Sequence, residues 1–352
     1  FMKYSLNFKE IKIDDYERVI EVTCSKVRLH AIIAIHQTAV GPALGGVRAS
    51  LYSSFEDACT DALRLARGMT YKAIISNTGT GGGKSVIILP QDAPSLTEDM
   101  LRAFGQAVNA LEGTYICAED LGVSINDISI VAEETPYVCG IADVSGDPSI
   151  YTAHGGFLCI KETAKYLWGS SSLRGKKIAI QGIGSVGRRL LQSLFFEGAE
   201  LYVADVLERA VQDAARLYGA TIVPTEEIHA LECDIFSPCA RGNVIRKDNL
   251  ADLNCKAIVG VANNQLEDSS AGMMLHERGI LYGPDYLVNA GGLLNVAAAI
   301  EGRVYAPKEV LLKVEELPIV LSKLYNQSKT TGKDLVALSD SFVEDKLLAY
   351  TS

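Results

Sequence analysis

The sequence predicts an α/β protein in two parts: an N-terminal α/β domain and a Rossmann-type, doubly wound dinucleotide-binding domain, with a cleft between them. Three observations predict it. At 352 residues the chain is longer than one typical core and suits two domains. Gly182-Ile183-Gly184-Ser185-Val186-Gly187 is a full GxGxxG set between a short apolar strand and a helix. The segments after it alternate between strand-like and helix-like patterns, as a mostly parallel sheet requires. The turn-rich Ser145-Gly146-Asp147-Pro148-Ser149 marks the join and a candidate hinge. The expected division is 1–145 and 146–334, with a C-terminal helix at about 335–352 that is a candidate to pack back on the first domain.

Composition narrows the function classes. The net charge is −10, and no Lys/Arg-rich run stands out, which argues against nucleic acid or an anionic membrane surface as partner. No stretch has the apolar length of a membrane span, and FMKYSLNFKE has no signal-peptide hydrophobic region, so a cytoplasmic location is expected. The eight cysteines form no CxxC pair and sit mostly in apolar runs, as reduced thiols do. The five histidines do not pair with cysteines or acids at ligand spacing, so no metal site is expected.

In the first part, Ala31–Ile35 reads as a buried strand, and Gly41-Pro42-Ala43-Leu44-Gly45-Gly46 as a loop where backbone can approach a ligand. Ser53 and Glu56 have capping-box spacing. Phe55, Cys59, Ala62, Ala66 and Met69 then share a helix face, and the helix carries Met69 and Lys72 toward Gly81-Gly82-Gly83. The stretch Gly68–Lys84 is the centre of the chain's chemistry, with two lysines flanking a glycine run. A phosphate loop is the disfavoured reading, beside a structural tight turn: the glycine required five places before Gly83 is Thr78, and Val86–Leu89 reads as a strand where a helix should open. A helix runs through about Leu111, then a strand from Thr114 to Ala118 ends in Glu119-Asp120-Leu121-Gly122. Asp120 there is either a catalytic acid or a turn residue.

In the second part, Lys177–Gln181 is the strand before the glycines and Arg188–Glu197 the helix after them. The glycines let backbone close on a pyrophosphate at the helix N-terminus. Leu201–Ala204 is the next strand and ends in Asp205, at the distance where an acid accepts hydrogen bonds from the adenine-ribose hydroxyls. Its charge would repel a 2′-phosphate, so NAD is favoured over NADP. A helix over 207–218 closed by Gly219 follows, with strands at 234–237, 256–261 and 280–282. Ligand groups belong at strand C-termini, where Pro238-Cys239-Ala240 and Ala262-Asn263-Asn264-Gln265 fall. Asn289-Ala290-Gly291-Gly292 opens a helix with Leu293, Val296, Ala297 and Ile300 on one face, which either packs in the core or walls a pocket. The chain is helical from Lys308 on.

A nicotinamide cofactor, a glycine-lined cleft, two lysines and an aspartate suit hydride transfer at a carbon bearing a carboxylate and an ionisable nitrogen or oxygen. The residues alone do not separate an amino acid from a hydroxy acid. The runs AIIAIH (31–36), GPALGG (41–46), DALRLARGMTYK (61–72), GGGK (81–84), AEDLG (118–122), QGIGSVG (181–187), ANNQL (262–266) and PDYLVNAGG (284–292), in this order, resemble the glutamate/leucine/phenylalanine/valine dehydrogenase superfamily, above all its branched-chain, leucine-type members. The resemblance implies a substrate-binding and oligomerisation role for the first domain and a homo-oligomer, dimer or octamer. It implies that Lys72, with backbone at Gly45 and Gly46, binds the substrate carboxylate. Lys84 would polarise the water that attacks an imino carbon, and Asp120 would take the ammonium proton. Asn264 would bridge substrate and nicotinamide, and Thr152, Cys239 and Ala240 would lie along the cofactor, with Ile183, Ser185 and Val186 between the glycines. Met69, Leu44, Ala118, Leu293 and Val296 would border an apolar side-chain pocket, where a buried distal carboxylate is costly. The implied activity is NAD-dependent oxidative deamination of leucine, valine or isoleucine. Aromatic amino acids and a non-catalytic dinucleotide-binding protein are the alternatives. Leu293, Arg241 and Asn243 depart from the family's usual residues, as does the run AIISNTG (73–79).

Overall fold

The computed structural model describes residues 4–140, 145–240, 242–300 and 302–351. Arg241, one of the departures, lies outside them. The chain divides into two compact units: Phe1–Asp147 with Asn295–Ala306 and Lys346–Ser352, and Pro148–Leu294 with Pro307–Asp345. The division at 145 and 334 assigned Asn295–Ala306 to the second part; it groups instead with the first unit.

The first unit holds a six-stranded sheet in the order β1-β2-β3-β5-β4-β6. Its strands are β1 (Asn7–Glu10), β2 (Arg18–Cys24), β3 (Leu29–Gln37), β4 (Ala43–Ser50), β5 (Gly81–Ile88) and β6 (Tyr115–Glu119). The pairings from β1 to β5 are antiparallel, while β4 runs parallel to both β5 and β6. Period-two alternation splits the strands between two cores. Ile20, Ile33, Ile35 and Val47 pack with helices α2 (Glu98–Asn109) and α3 (Ile125–Ala132) on one face. Val19, Ile32, Ala34 and Val86 pack under helix α1 (Phe55–Ile75) on the other.

Two details of α1 correct the sequence reading. Its N-cap is Ser54, whose hydroxyl accepts the Asp57 amide, so the cap lies one residue after Ser53. Its buried stripe is Ala58, Ala62, Ala66, Thr70 and Ala73, leaving Phe55, Cys59 and Met69 half-buried at its margin. Alanine favours the helix and holds it close to the sheet, and that closeness explains a second correction. The strand expected at Val86–Leu89 begins earlier: Gly81, Gly82 and Gly83 are the start of the inner strand β5 (Gly81–Ile88). A Cβ on Gly81 would lie 1.7 Å from the Gln37 carbonyl oxygen, and one on Gly82 2.1 Å from the Thr70 amide nitrogen. Glycine is costly in a strand, and here no side chain fits.

The second unit holds a wholly parallel sheet in the order β12-β11-β10-β7-β8-β9. It comprises β7 (Lys177–Gln181), β8 (Glu200–Ala204), β9 (Thr221–Ile222), β10 (Cys233–Pro238), β11 (Cys255–Ile258) and β12 (Leu281–Tyr282). The order reverses beside β7, the first strand, as in doubly wound dinucleotide-binding sheets. Helices α5 (Gly187–Phe196), α6 (Glu208–Tyr218) and α7 (Ser269–Glu277) lie between its strands, with α4 (Ser149–Trp168) before the first and α8 (Asp285–Val288) after the last. Helix α9 (Gly291–Ala297) spans the boundary at Leu294, and α10 (Pro307–Thr331) and α11 (Leu335–Thr351) close the chain. Leu293, Val296, Ala297 and Ile300 do not share one environment: Ala297 and Ile300 are buried, Leu293 and Val296 half-buried, and Leu294 is the other buried apolar residue. Polar anchoring sets this rotation, since Asn295 donates to the Ser145 carbonyl (3.0 Å) and accepts from the Tyr305 hydroxyl (2.7 Å).

Candidate active site

In the first unit the chemistry gathers where β4, β5 and β6 run side by side. Gly45 pairs with Cys117 and Gly46 with Ala118. A Cβ on Gly45 would lie 1.7 Å from the Gly83 carbonyl oxygen, and one on Gly46 2.8 Å from the Asp120 Cβ. The buried Tyr115 hydroxyl donates to the Gly45 carbonyl (2.7 Å) and meets Ser85 (2.9 Å), fixing this backbone from below. Leu44 is fully buried, and Ala118 is half-buried. Lys72 lies in the last turn of α1, half-buried, on the rigid element expected of a binding group.

Lys84, in the interior of β5, is 5% exposed, and its Nζ donates to Asp120 Oδ2 at 2.7 Å. Asp120 follows the last residue of β6, so one sheet brings together the lysine and the acid that the sequence singled out. Burial pushes the Lys84 ammonium below its usual range, against the opposing pull of Asp120. Burial would raise the Asp120 carboxyl, but Lys84 and Arg48 outweigh it and hold it below the usual carboxylate range.

Arg48 was missed in the sequence. Its Nε donates to Asp120 Oδ2 (3.1 Å) and its Nη1 to Asp61 Oδ2 (2.9 Å). Asp61, on α1, also accepts from Tyr52 (2.8 Å) and Arg64 (3.0 Å). The available signal was the run GGVRAS: an arginine inside an apolar strand needs buried acidic partners.

In the second unit, register places the dinucleotide residues on one edge. Gln181 pairs with both Pro238 and Ala204, so Gly182, Cys239 and Asp205 leave their strands together. The three motif glycines do different work. Gly182 has φ +101°, and a Cβ there would press on Ala240 at 2.6 Å. A Cβ on Gly187 would lie 2.0 Å from the Gly182 carbonyl oxygen, so the helix starts tight against the loop. Gly184 meets nothing within 4 Å, which leaves open space at the N-terminal end of α5. Asp205 accepts the Ile183 amide on Oδ2 (2.6 Å) and the Leu207 amide on Oδ1 (2.8 Å). Each oxygen keeps a lone pair for a further donor.

Beside Asp205 lies a cavity of about 540 Å³, lined among others by Gly182, Glu226, Ala240, Asn243 and Arg246. The open place at Gly184, the close backbone packing at Gly182 and Gly187, and this cavity fit a dinucleotide. Asn243 has φ +58°, a left-handed conformation that asparagine tolerates, which accounts for that departure. The Cys239 amide donates to the Gln181 carbonyl (2.7 Å), and burial raises its thiol to about 11, so it packs as a neutral group. Thr152 caps back on Pro148 (3.1 Å) beside Gly292, where a Cβ would lie 2.6 Å from its hydroxyl. Asn264 is left-handed at φ +51°, next to Asn263, whose side chain accepts from Asn289 (2.8 Å). Among the described residues no helix is long and apolar enough to cross a membrane, and no cluster of acids, histidines and cysteines could hold a metal.

Two family models match. Residues 17–137 match the Glu/Leu/Phe/Val dehydrogenase dimerisation domain, and residues 199–339 match Glutamate/Leucine/Phenylalanine/Valine dehydrogenase. The chain is 42% identical over 343 residues to leucine dehydrogenase of Bacillus subtilis (strain 168), covering 97% of this chain and 93% of that protein. It is 42% identical over 327 residues to phenylalanine dehydrogenase of Lysinibacillus sphaericus, covering 90% and 84%. The crystal structure of L-tryptophan dehydrogenase from Nostoc punctiforme is similar, with a TM-score of 0.87 at 38% identity, covering 96% of this chain and 97% of that one.

Proposed function

We propose that this chain, which belongs to the glutamate/leucine/phenylalanine/valine dehydrogenase family and is an amino acid dehydrogenase, oxidises branched-chain L-amino acids with NAD. The observation that carries the reading is the buried Lys84 held at 2.7 Å from the half-buried Asp120. The reaction takes an L-amino acid, NAD and water to the 2-oxo acid, ammonium and NADH, reversibly.

Bound NAD would supply the hydride acceptor, held by the Gly182–Gly187 turn, with Thr152, Cys239, Ala240 and Asn264 along it. Asp205 favours NAD, since its carboxylate would oppose a 2′-phosphate in the cavity it borders. Lys72 neutralises the substrate carboxylate, and the amides of Gly45 and Gly46 complete that contact. Asp120, ionised, takes a proton from the substrate ammonium and leaves a neutral amine, the form that can release hydride from Cα. Lys84, its pKa depressed by burial, then polarises a water for attack on the imino carbon and exchanges the protons that follow. The side chains assigned to substrate, Met69, Leu44, Ala118, Leu293 and Val296, are all apolar, which disfavours a substrate with a distal carboxylate. A homo-oligomer, dimer or octamer, in the cytoplasm completes the reading; the matching model of residues 17–137 is described as a dimerisation domain.

A second reading, an aromatic substrate, is favoured by the similarity to the tryptophan and phenylalanine enzymes. NADH formation from a panel of L-amino acids, with NADP in parallel, separates the two. Faster turnover of leucine, isoleucine and valine supports the first, and of phenylalanine or tryptophan the second. Lys84→Ala should lower kcat by about 10²–10⁴-fold with NAD binding kept; normal turnover in that variant would sink the mechanism.

A further inference from the structure

Arg48 has no part in the reaction as described, yet it is bound into the site from both ends. Its guanidinium, 20% exposed, uses Nε for Asp120 and Nη1 for Asp61. The sheet register produces this: Val47 of β4 pairs with Glu119 of β6, so Arg48 and Asp120 are the next residues along the two strands. Two cations then converge on one atom, because Lys84 Nζ and Arg48 Nε both donate to Asp120 Oδ2. Asp61 in turn accepts from Arg48 and Tyr52 on Oδ2 and from Arg64 on Oδ1.

We infer that Arg48 is a positioning residue: by bridging Asp61 to Asp120 it commits Oδ2 to the cation pair and presents Oδ1 to the substrate ammonium. The step is balanced. An N–H bond of the ammonium breaks, an O–H bond forms on Oδ1, and the electron pair stays on nitrogen. With Oδ2 held by two fixed donors the carboxylate does not rotate, so the receiving lone pair is set before substrate arrives. This role rests on the proposed activity, because it needs a substrate ammonium at Asp120.

The charged groups around Arg48 are Lys84 on β5, Asp61 and Arg64 on α1, Glu119 and Asp120 at the end of β6, and the Tyr52 hydroxyl ahead of α1. The charge of Arg48 lowers both Asp120 and Lys84, and that of Asp61 raises Lys84. Removing the arginine charge should therefore move both limbs of a bell-shaped profile in the same direction.

The test is the pH profile of kcat/KM for the preferred amino acid in Arg48→Gln, Arg48→Lys and Asp61→Asn, with a melting curve for each. Arg48→Gln should shift both limbs to higher pH by about one unit and lower the maximum roughly 10–100-fold. Arg48→Lys should return the limbs toward wild type without restoring the maximum, since one ammonium does not span two carboxylates. Asp61→Asn keeps an oxygen for Arg48 but loses the opposing charge, so its limbs should move to lower pH. If Arg48→Gln does not fold, the direction of the Asp61→Asn shift decides the matter. A folded Arg48→Gln whose limbs stay in place, whatever its maximum, overturns the role alone. Wild-type protein that turns over no amino acid overturns the proposed activity, and this role with it.

Discussion

Adding one methyl group at Gly82 should damage stability and catalysis together. A Cβ there would lie 2.1 Å from the Thr70 nitrogen, 2.3 Å from its Oγ1 and 2.5 Å from its Cα. Two of these three atoms are backbone, so no rotamer relieves the contact. To bring 2.1 Å up to the 3.0 Å below which Cβ contacts are essentially never found, α1 and β5 must separate by about 0.9 Å. Overpacking of this kind costs about 3 kcal/mol, the upper end of the usual range, because a whole helix has to move. That corresponds to a fall in melting temperature of about 6–12 °C. The displaced atoms lie two residues from Lys72 on α1 and two from Lys84 on β5. A misplacement near 1 Å lowers turnover by about 100-fold. Calorimetry and steady-state NADH formation on Gly82→Ala measure both effects. Gly68→Ala is the control: it is exposed on α1 with nothing within 4 Å of its Cβ, and should stabilise by about 0.5–1 kcal/mol. A Gly82→Ala protein that melts within about 1 °C of wild type and keeps its kcat/KM would refute the reasoning that the glycine strand sets the lysine spacing.

Asp205→Asn replaces one acceptor with an NH2 group that faces an amide N–H, and it removes the charge. NAD should bind about tenfold more weakly, and the preference over NADP should narrow; calorimetric titration with both cofactors reads this, and an unchanged ratio would mean that Asp205 does not read the 2′ position. Arg303 donates to the carbonyls of Thr78 (3.0 Å), Gly79 (2.7 Å) and Ala297 (3.0 Å). Arg303→Met should speed hydrogen exchange at residues 77–80 by about tenfold and raise KM more than it lowers kcat, and unchanged exchange would show that the loop holds itself.

The dinucleotide-binding half was legible because its signals are local: a strand, three glycines, a helix and Asp205 at the next strand end follow one another from Lys177 to Asp205. The candidate pair Lys84 and Asp120 could be singled out as residue types, though their 2.7 Å contact depends on β4 lying between their strands, which no local pattern encodes. The glycine run misled because glycine carries no β signal; its strand character comes from neighbours on both sides of the sheet. Ser53 and Ser54 offer almost equal capping spacings, with an acid three places after each, Glu56 and Asp57. Arg48 was hidden for the opposite reason: one charge in an apolar run looks like an exception until its partners, Asp61 and Asp120, are brought to it by the fold.

The chain passes between its two units four times, at Asp147, Leu294, Ala306 and Asp345. This gives synthesis on the ribosome an order. The first 147 residues emerge with their sheet and both lysines, but the loop between those lysines lacks its clamp until Arg303 follows. Meanwhile the parallel sheet of the second unit is translated and has the opportunity to form. Within this chain the first unit thus gains its last contacts only after the second unit has been made, and the turn at Thr78 and Gly79 receives its Arg303 donors late.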